Sequence, residues 1–256
     1  MTSFKAYSSH SLNGSIKVPG DKSISHRSIM LGSIANGVTN VSGFLEGEDS
    51  LATLRAFQHM GVQIERAGSN IAINGVGKHG LKSPTKPLDL GNSGTSIRLM
   101  SGLLSAQSFN SQLCGDESLS KRPMARVIEP LHMMGAKIDS YESKPPLSIT
   151  GNQKLSAINY TLPVASAQIK SSLLLAGLYA EGETCIVENS TTRDHTERML
   201  RGFGYPVKTS NGQISLMGGG ELHACDIEVP SDISSAAFFI VAASIAKEAN
   251  ITLSAV

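Results

Sequence analysis

The sequence has no tryptophan, and aromatic residues make up only 5% of it. That leaves little material for a surface that stacks nucleic-acid bases on aromatic rings. An excess of charge of one sign is also missing. The 22 Lys and Arg and 21 Asp and Glu are interspersed, for a net charge of +1. Such a balance argues against a protein held on nucleic acid or on a membrane surface by bulk charge. The three cysteines, Cys114, Cys185 and Cys225, are far apart and odd in number, so neither a disulfide framework nor a zinc spacing is present. Reduced thiols fit a cytoplasmic setting. No run of about 18 apolar residues occurs, and Met-Thr-Ser-Phe-Lys-Ala opens the sequence without an apolar signal core. There is no Walker motif and no Gly-x-Gly-x-x-Gly after a strand; Gly218-Gly219-Gly220 reads as a loop.

What is present is 256 residues, 40% of them hydrophobic, enough for one large domain or two small ones. A pattern recurs along them. Val18-Pro19-Gly20-Asp21-Lys22-Ser23, Leu90-Gly91-Asn92-Ser93-Gly94-Thr95, Leu162-Pro163-Val164-Ala165-Ser166 and Val229-Pro230-Ser231-Asp232 each end a strand-like run in a turn and open an apolar helix. Ser23, Ser93, Ser166 and Ser234 mark equivalent points, about 70 residues apart. After each helix comes a β-like run: Thr39–Val41, Ser111–Leu113, Thr184–Val187 and Ile251–Leu253. In the first three units a second helix follows and stops at Met60-Gly61, Met134-Gly135 and Phe203-Gly204. Asp194 and Glu197 have capping-box spacing at the start of the third of these. Ile71–Ile73, Leu147–Ile149 and Ile214–Leu216 close the units as strands. The fourth copy starts at about 226. Its helix, expected over Ala236–Ala246, is apolar on most sides around Phe238 and Phe239, needs partners to cover it, and is a candidate for self-association. The expectation is therefore the front part of a longer protein, or a chain completed by a second polypeptide.

Helix starts favour anions, because free N–H groups and the helix dipole point there. "GDKSISHR" puts Lys22 and Arg27 at such a start. On its own the stretch reads first as a solvated basic turn. The other starts add to it: Asn92-Ser93-Gly94-Thr95 with Arg98; Ser166, Gln168 and Lys170; Lys121-Arg122 and Arg193 ahead of second helices. Gly94 lets backbone approach a ligand closely, and Arg grips a phosphate or carboxylate with two donors. The sum is a cationic face for a ligand, or ligands, with several negative charges.

The runs "PGDKSISHRSIML", "LGNSGTSIRL", "KRPMARV", "SAQIKSSLLLAGL" and "RDHTERML" resemble the EPSP synthases, the 3-phosphoshikimate 1-carboxyvinyltransferases of the enolpyruvyl transferase family. The resemblance runs from about residue 10 to the end. It implies an α/β fold of repeated βαβαββ units, the inverse α/β domain of that family, with two such domains in the family. Residues 16–225 would be the first domain, in three units; 1–15 and 226–256 would be fragments of the second. The implied reaction moves the enolpyruvyl group of phosphoenolpyruvate to the 5-hydroxyl of shikimate 3-phosphate, without metal or organic cofactor. By the same resemblance Lys22 touches both substrates and takes part in proton transfer. Ser23 and Arg27 hold the shikimate carboxylate, and Gly94 and Arg122 the phosphate of phosphoenolpyruvate. Ser166 and Gln168 contact shikimate 3-phosphate, with Gln168 also near phosphoenolpyruvate, and Arg193 sits on the phosphate of shikimate 3-phosphate. Asn92 and Thr95 are secondary candidates that shape the loop, and Ser166 and Thr95 also read as helix caps.

Two departures matter. Ala167 stands where many members have a second serine, removing one phosphate hydrogen bond that Arg193 compensates. Glycine at 94, where tolerant members carry alanine, implies sensitivity to glyphosate. The family's remaining acid–base groups would lie beyond Val256, which implies no turnover by these residues alone. The family further implies a cytoplasmic, monomeric full-length enzyme. The alternatives are the sister family acting on UDP-N-acetylglucosamine and a non-catalytic anion-binding domain. The first is suggested by Cys114 ahead of Arg122-Pro123, but the gap is long and a buried structural thiol is the expected reading. His195, beside a helix start, reads as an ordinary surface or hydrogen-bonded histidine.

Overall fold

The computed structural model describes Ser3, Lys5, Tyr7 and residues 11–256; the remainder of the expected 1–15 segment lies outside the described residues. The first unit follows β1 (Ser11–Ile16) with α1 (Lys22–Ile34), β2 (Asn36–Ser42), α2 (Glu48–His59), β3 (Gln63–Ala67) and β4 (Asn70–Val76). The second runs β5 (Leu88–Asp89), α3 (Gly94–Leu104), β6 (Ser111–Cys114), a short α4 (Glu117–Ser120), α5 (Ala125–Met133), β7 (Lys137–Tyr141) and β8 (Lys144–Thr150). The third is β9 (Asn159–Thr161), α6 (Ala167–Gly177), β10 (Glu183–Val187), α7 (His195–Gly202), β11 (Lys208–Ser210) and β12 (Gln213–Met217). Then come β13 (Ile227–Glu228), α8 (Ile233–Ile245) and β14 (Glu248–Leu253).

The repeat is visible in hydrogen bonds. All three second helices end alike, with the glycine at positive φ: Gly61 at 88°, Gly135 at 96° and Gly204 at 78°. In each, the next residue reaches back five positions: Val62 N–H to Phe57 O at 3.1 Å, Ala136 to Leu131 at 3.0 Å and Tyr205 to Leu200 at 2.8 Å. This is a Schellman end, and it needs a residue that tolerates left-handed backbone. The sheets repeat too. The second and third units have strand orders β5-β6-β8-β7 and β9-β10-β12-β11, each a parallel edge pair followed by an antiparallel hairpin.

The first unit departs from expectation. Its sheet is β13-β2-β4-β3, so the parallel edge is Ile227–Glu228 and not the strand before α1. That strand, β1, pairs with β14 instead, Ser11 opposite Glu248 through Ile16 opposite Leu253. The two routes cross at Pro19-Gly20 and Pro230-Ser231. There Asp21 N–H meets Pro230 O at 2.8 Å and Asp232 N–H meets Pro19 O at 2.9 Å. A Cβ on Gly20 would stand 2.0 Å from Gly43 O, so only glycine fits this crossing. The first unit's ladder thus extends past residue 225.

The helices α1, α3 and α6 form the centre. Ser25 through Ile34 are all buried on α1, and α3 and α6 are buried over most of their lengths. Ile29, Met30, Ile97, Met100, Leu103 and Leu174 are fully buried there. Helices buried on nearly every side need no polar face, whereas α2, α5 and α7 each bury one face and expose the other. At the C-terminal end, Lys78 Nζ donates to Leu178 O at 3.0 Å and Tyr179 Oη donates to Lys78 O at 3.0 Å, tying the first unit to the third. The N-terminal ends of α1, α3 and α6 face the other way. The expected equivalence of Ser23, Ser93, Ser166 and Ser234 holds at two places only. Ser93 and Ser166 cap their helices, but Asp21 and Asp232 do so in the first and fourth copies. A carboxylate outcompetes a hydroxyl as an acceptor for the free N–H groups, so Ser23 and Ser234 fall two residues inside. The fourth helix starts at Ile233, three residues earlier than expected. It packs beside β14 and leaves Phe238, Val241 and Ile245 exposed.

Candidate functional site

Residues from three helix starts and one loop line a cleft of about 450 Å³. They are Ser23 and Arg27 of α1, Thr95 of α3, the α6 cap Ser166 with Ala167 and Gln168, and Thr191, Thr192, Arg193 and His195 at the approach to α7. Five residues expected to hold one ligand, Ser23, Arg27, Ser166, Gln168 and Arg193, therefore meet. Larger grooves occur elsewhere, one of them lined by residues of β2, β3, β4 and β13 and another around Pro19-Gly20 and Gly43, but among the described residues these two gather no comparable set of anion-binding groups.

Arg27 is 4% exposed, and neighbours from three helices fix it. Its Nε donates to Thr196 Oγ1 at 2.6 Å, Nη2 to Ser171 Oγ at 2.7 Å and Nη1 to Ser23 O at 2.9 Å. Burial lowers its pKa to about 10, against the pull of Glu197 and Asp21, so it stays charged at neutral pH. A guanidinium already locked in place loses little entropy on binding a carboxylate. His195, expected as an ordinary surface or hydrogen-bonded histidine, is half-buried on the cleft wall. Burial, with the charges of Arg27 and Arg193, lowers its pKa against the pull of Asp21 and Asp194.

A second cationic cluster adjoins the first through Gln168. Gln168 Nε2 donates to Thr95 Oγ1 at 3.0 Å, and its Oε1 accepts from Arg98 Nη1 at 3.1 Å. Arg98 also donates to Gly94 O at 3.0 Å. Arg122 donates to Asn92 Oδ1, which places it on the same loop. A Cβ on Gly94 would lie 2.8 Å from both Arg98 Nη1 and Arg122 Nη1, so the missing side chain is the space between two guanidinium ends. Burial first, and then the like charges of Arg122 and Arg126, push the Arg98 pKa down. Cations held together against their repulsion make a fixed positive field that an anion relieves.

Lys22 is the first residue of α1 and half exposed, ion-paired to Asp49 of α2. It is not among the residues that line the cleft. Three expectations need correction. Lys170 is not on the anion-binding face: it lies a turn inside α6, 1% exposed, between Glu188 and Glu197. Asp194 and Glu197 do not form a capping box, since Asp194 makes no side-chain cap and holds Arg198 at 2.7 Å, while Glu197 is turned inward. Cys114 is half-buried rather than buried, with its thiol 3.7 Å from Leu88 O. Burial and Asp89 raise its pKa, the opposite of an activated nucleophile.

Sequence reasoning missed Thr191, Thr192 and Asp49. Thr191 and Thr192 adjoin Arg193 and were findable as its neighbours; Asp49 is marked only by its contact with Lys22. Among the described residues no group of His, Cys, Asp and Glu is arranged to hold a metal ion, and no helix is long and apolar enough to cross a membrane.

A profile of the family EPSP synthase (3-phosphoshikimate 1-carboxyvinyltransferase) matches residues 7–256. A 3-phosphoshikimate 1-carboxyvinyltransferase of Ruthia magnifica subsp. Calyptogena magnifica is 66% identical over 256 residues, covering 100% of this chain and 59% of that protein. One from Hydrogenovibrio crunogenus is 61% identical over 257 residues, covering 98% and 58%. A solved EPSP synthase from Acinetobacter baumannii superposes with a TM-score of 0.90 at 60% identity, over 96% of this chain and 56% of that one. The chain thus spans about 59% of the length of the curated relatives it matches.

Proposed function

The chain belongs to the EPSP synthase family, and from that premise we propose that its cleft binds shikimate 3-phosphate and that the arginine cluster beside it binds the phosphate of phosphoenolpyruvate. The observation that carries this is the convergence of Ser23, Arg27, Ser166, Gln168 and Arg193 on one cleft. In the proposed reaction of the whole protein, the 5-hydroxyl of shikimate 3-phosphate adds to C2 of phosphoenolpyruvate while C3 takes up a proton. The tetrahedral intermediate then loses phosphate, leaving the enolpyruvyl ether.

The roles follow from chemistry and position. Arg27, locked and charged, faces the shikimate carboxylate with Ser23. Ser166 and Gln168 hold the ligand from the start of α6. Ala167 offers no hydroxyl, so Arg193 supplies the phosphate contact from the opposite wall. Gly94 leaves room between Arg98 and Arg122 for a second phosphate, and Gln168 touches both ligands. Lys22 serves both substrates and the proton transfer, with Asp49 as its partner until they bind. The same space at Gly94 makes glyphosate a fitting inhibitor. Residues 16–225 together with the edge strand β13 are proposed as one domain, with 1–15 and the residues after β13 belonging to another; the pairing of β1 with β14 apart from the three unit sheets supports this, while the place of β13 beside β2 moves the expected boundary past Glu228. A cytoplasmic, monomeric whole protein is part of the same proposal. The raised thiol pKa of Cys114 speaks against the sister activity on UDP-N-acetylglucosamine.

An amide chemical-shift titration with shikimate 3-phosphate tests the assignment. Ser23, Ser166, Ala167, Gln168 and Thr192–Asp194 are expected to shift together with one saturation curve. Shifts confined to other surfaces would overturn it.

A further inference from the structure

Lys170 takes no part in the roles just described, yet its surroundings are specific. Its Nζ lies 2.9 Å from Glu188 Oε1 and 2.6 Å from Glu197 Oε1, and both carboxylates are buried. Glu188 directly follows β10, and Glu197 is in the first turn of α7. They are the two ends of the loop that brings Thr191, Thr192, Arg193 and His195 to the cleft. Thr192 Oγ1 donates to Glu188 as well, so the loop's interior is fastened to the same group. One residue before Glu197, Thr196 Oγ1 donates to Ser171 Oγ at 2.7 Å and accepts from Arg27. Glu197 Oε2 has no hydrogen-bond partner among the described residues, which leaves Lys170 as that carboxylate's one ion pair.

Burying three charges is costly, and apolar residues of equal volume commonly stabilise a core as well or better. Stability alone is thus a poor account of this triad. Its geometry supplies another: one cation in the central helix draws together both ends of a single loop. We propose that Lys170 is a positioning residue, a buried staple that fixes the 189–196 loop and so holds Arg193 at the cleft for the ligand's phosphate. Lys170 itself touches no ligand. The role for Arg193 rests on the shikimate 3-phosphate reading above, whereas the fixing of the loop does not, and the experiment separates the two.

Glu188→Gln removes the charge at the loop's front end with little change of shape. Glu183→Gln, on the exposed far end of the same strand, is the control. Lys170→Met combined with Glu188→Gln and Glu197→Gln removes the whole triad without leaving a buried charge unpaired. For each, amide hydrogen exchange of residues 190–194 is measured, along with calorimetric affinity for shikimate 3-phosphate and for shikimate. The expected result for Glu188→Gln and for the triple variant is exchange in 190–194 faster by roughly tenfold, with α6 unchanged. Shikimate 3-phosphate is expected to bind roughly tenfold more weakly while shikimate binds as before. Glu183→Gln is expected to match the parent. Unchanged exchange in 190–194 would overturn the staple. Equal losses for both ligands would reduce it to general destabilisation and overturn the positioning role. If the parent bound neither ligand, the cleft reading would fail, and the exchange data would still decide the staple.

Discussion

Gly102→Ala is a perturbation placed far from the cleft that should still reach it. Gly102 lies eight residues beyond Gly94, about 12 Å along α3. There α3 crosses α6 so closely that a Cβ would stand 2.0 Å from Ser172 O and 2.8 Å from both Ser172 C and Oγ. The obstacle is a helix backbone, which cannot turn aside as a side-chain end does. An ordinary contact needs roughly 3.4 Å, so the helices must part by roughly 1.4 Å. Overpacking of this kind costs about 1–3 kcal/mol. At the N-terminal ends, the 3.0 Å bond from Gln168 to Thr95 and the 3.1 Å bond from Arg98 to Gln168 would stretch past hydrogen-bonding range, adding about 1 kcal/mol. Alanine returns at most about 1 kcal/mol of helix propensity. The expected net loss is about 1–3 kcal/mol, read from urea unfolding as a lower midpoint at unchanged slope, together with weaker shikimate 3-phosphate binding. A midpoint equal to or above the parent's would mean that propensity outweighs packing and would refute the close crossing.

Three further outcomes follow. Gly94→Ala has no positive φ to strain, so unfolding is expected to be unchanged within about 0.5 kcal/mol; in the whole protein, glyphosate should inhibit at least tenfold more weakly, because the methyl occupies the gap between Arg98 and Arg122, and an unaltered inhibition curve would count against that. Arg193→Ala should weaken shikimate 3-phosphate by about 1.5–3 kcal/mol, the value of a charged hydrogen bond, and leave shikimate binding untouched; a common loss for both ligands would contradict the phosphate assignment. His26 is wholly buried, bonded to Thr53 at 2.8 Å, and its pKa is lowered from 6.5 to about 3, by burial first. The unfolded chain therefore takes up a proton that the folded one refuses, and stability falls as pH drops from about 6.5 towards 3. At pH 5 the loss from this group is about 2 kcal/mol. Unfolding curves at pH 7.5 and 5 should show that difference, and His26→Asn should remove it from the slope; an equal slope in the variant would refute the assignment.

The parts of this fold that were legible in the sequence are those fixed locally. Gly61, Gly135 and Gly204 announced three helix ends because left-handed backbone is a property of one residue and its neighbours. The strands after each first helix were legible for the same reason. The first unit's edge strand was not: β13 joins β2 from about 186 residues away in sequence, and two residues of ladder carry no periodicity. The cap of α1 was misplaced because Asp21 and Ser23 both suit the position and only geometry chooses. The candidate cleft was legible as a set, since Ser23, Arg27, Ser166, Gln168 and Arg193 all sit at helix starts. Lys170 was misread because residue type does not tell which way a side chain leaves its helix. Its position a full turn inside α6 turns it away from the cleft and onto two acids. The place of His195 on the cleft wall was not legible because the residues that line the cleft with it from α1, α3 and α6 are remote in sequence.

The most direct test is a calorimetric titration of the chain with shikimate 3-phosphate, with shikimate and UDP-N-acetylglucosamine alongside. Saturable binding of shikimate 3-phosphate, tighter than shikimate and with no heat from the nucleotide sugar, is the predicted result. Preference for UDP-N-acetylglucosamine, or equal affinity for shikimate with and without its phosphate, would contradict it.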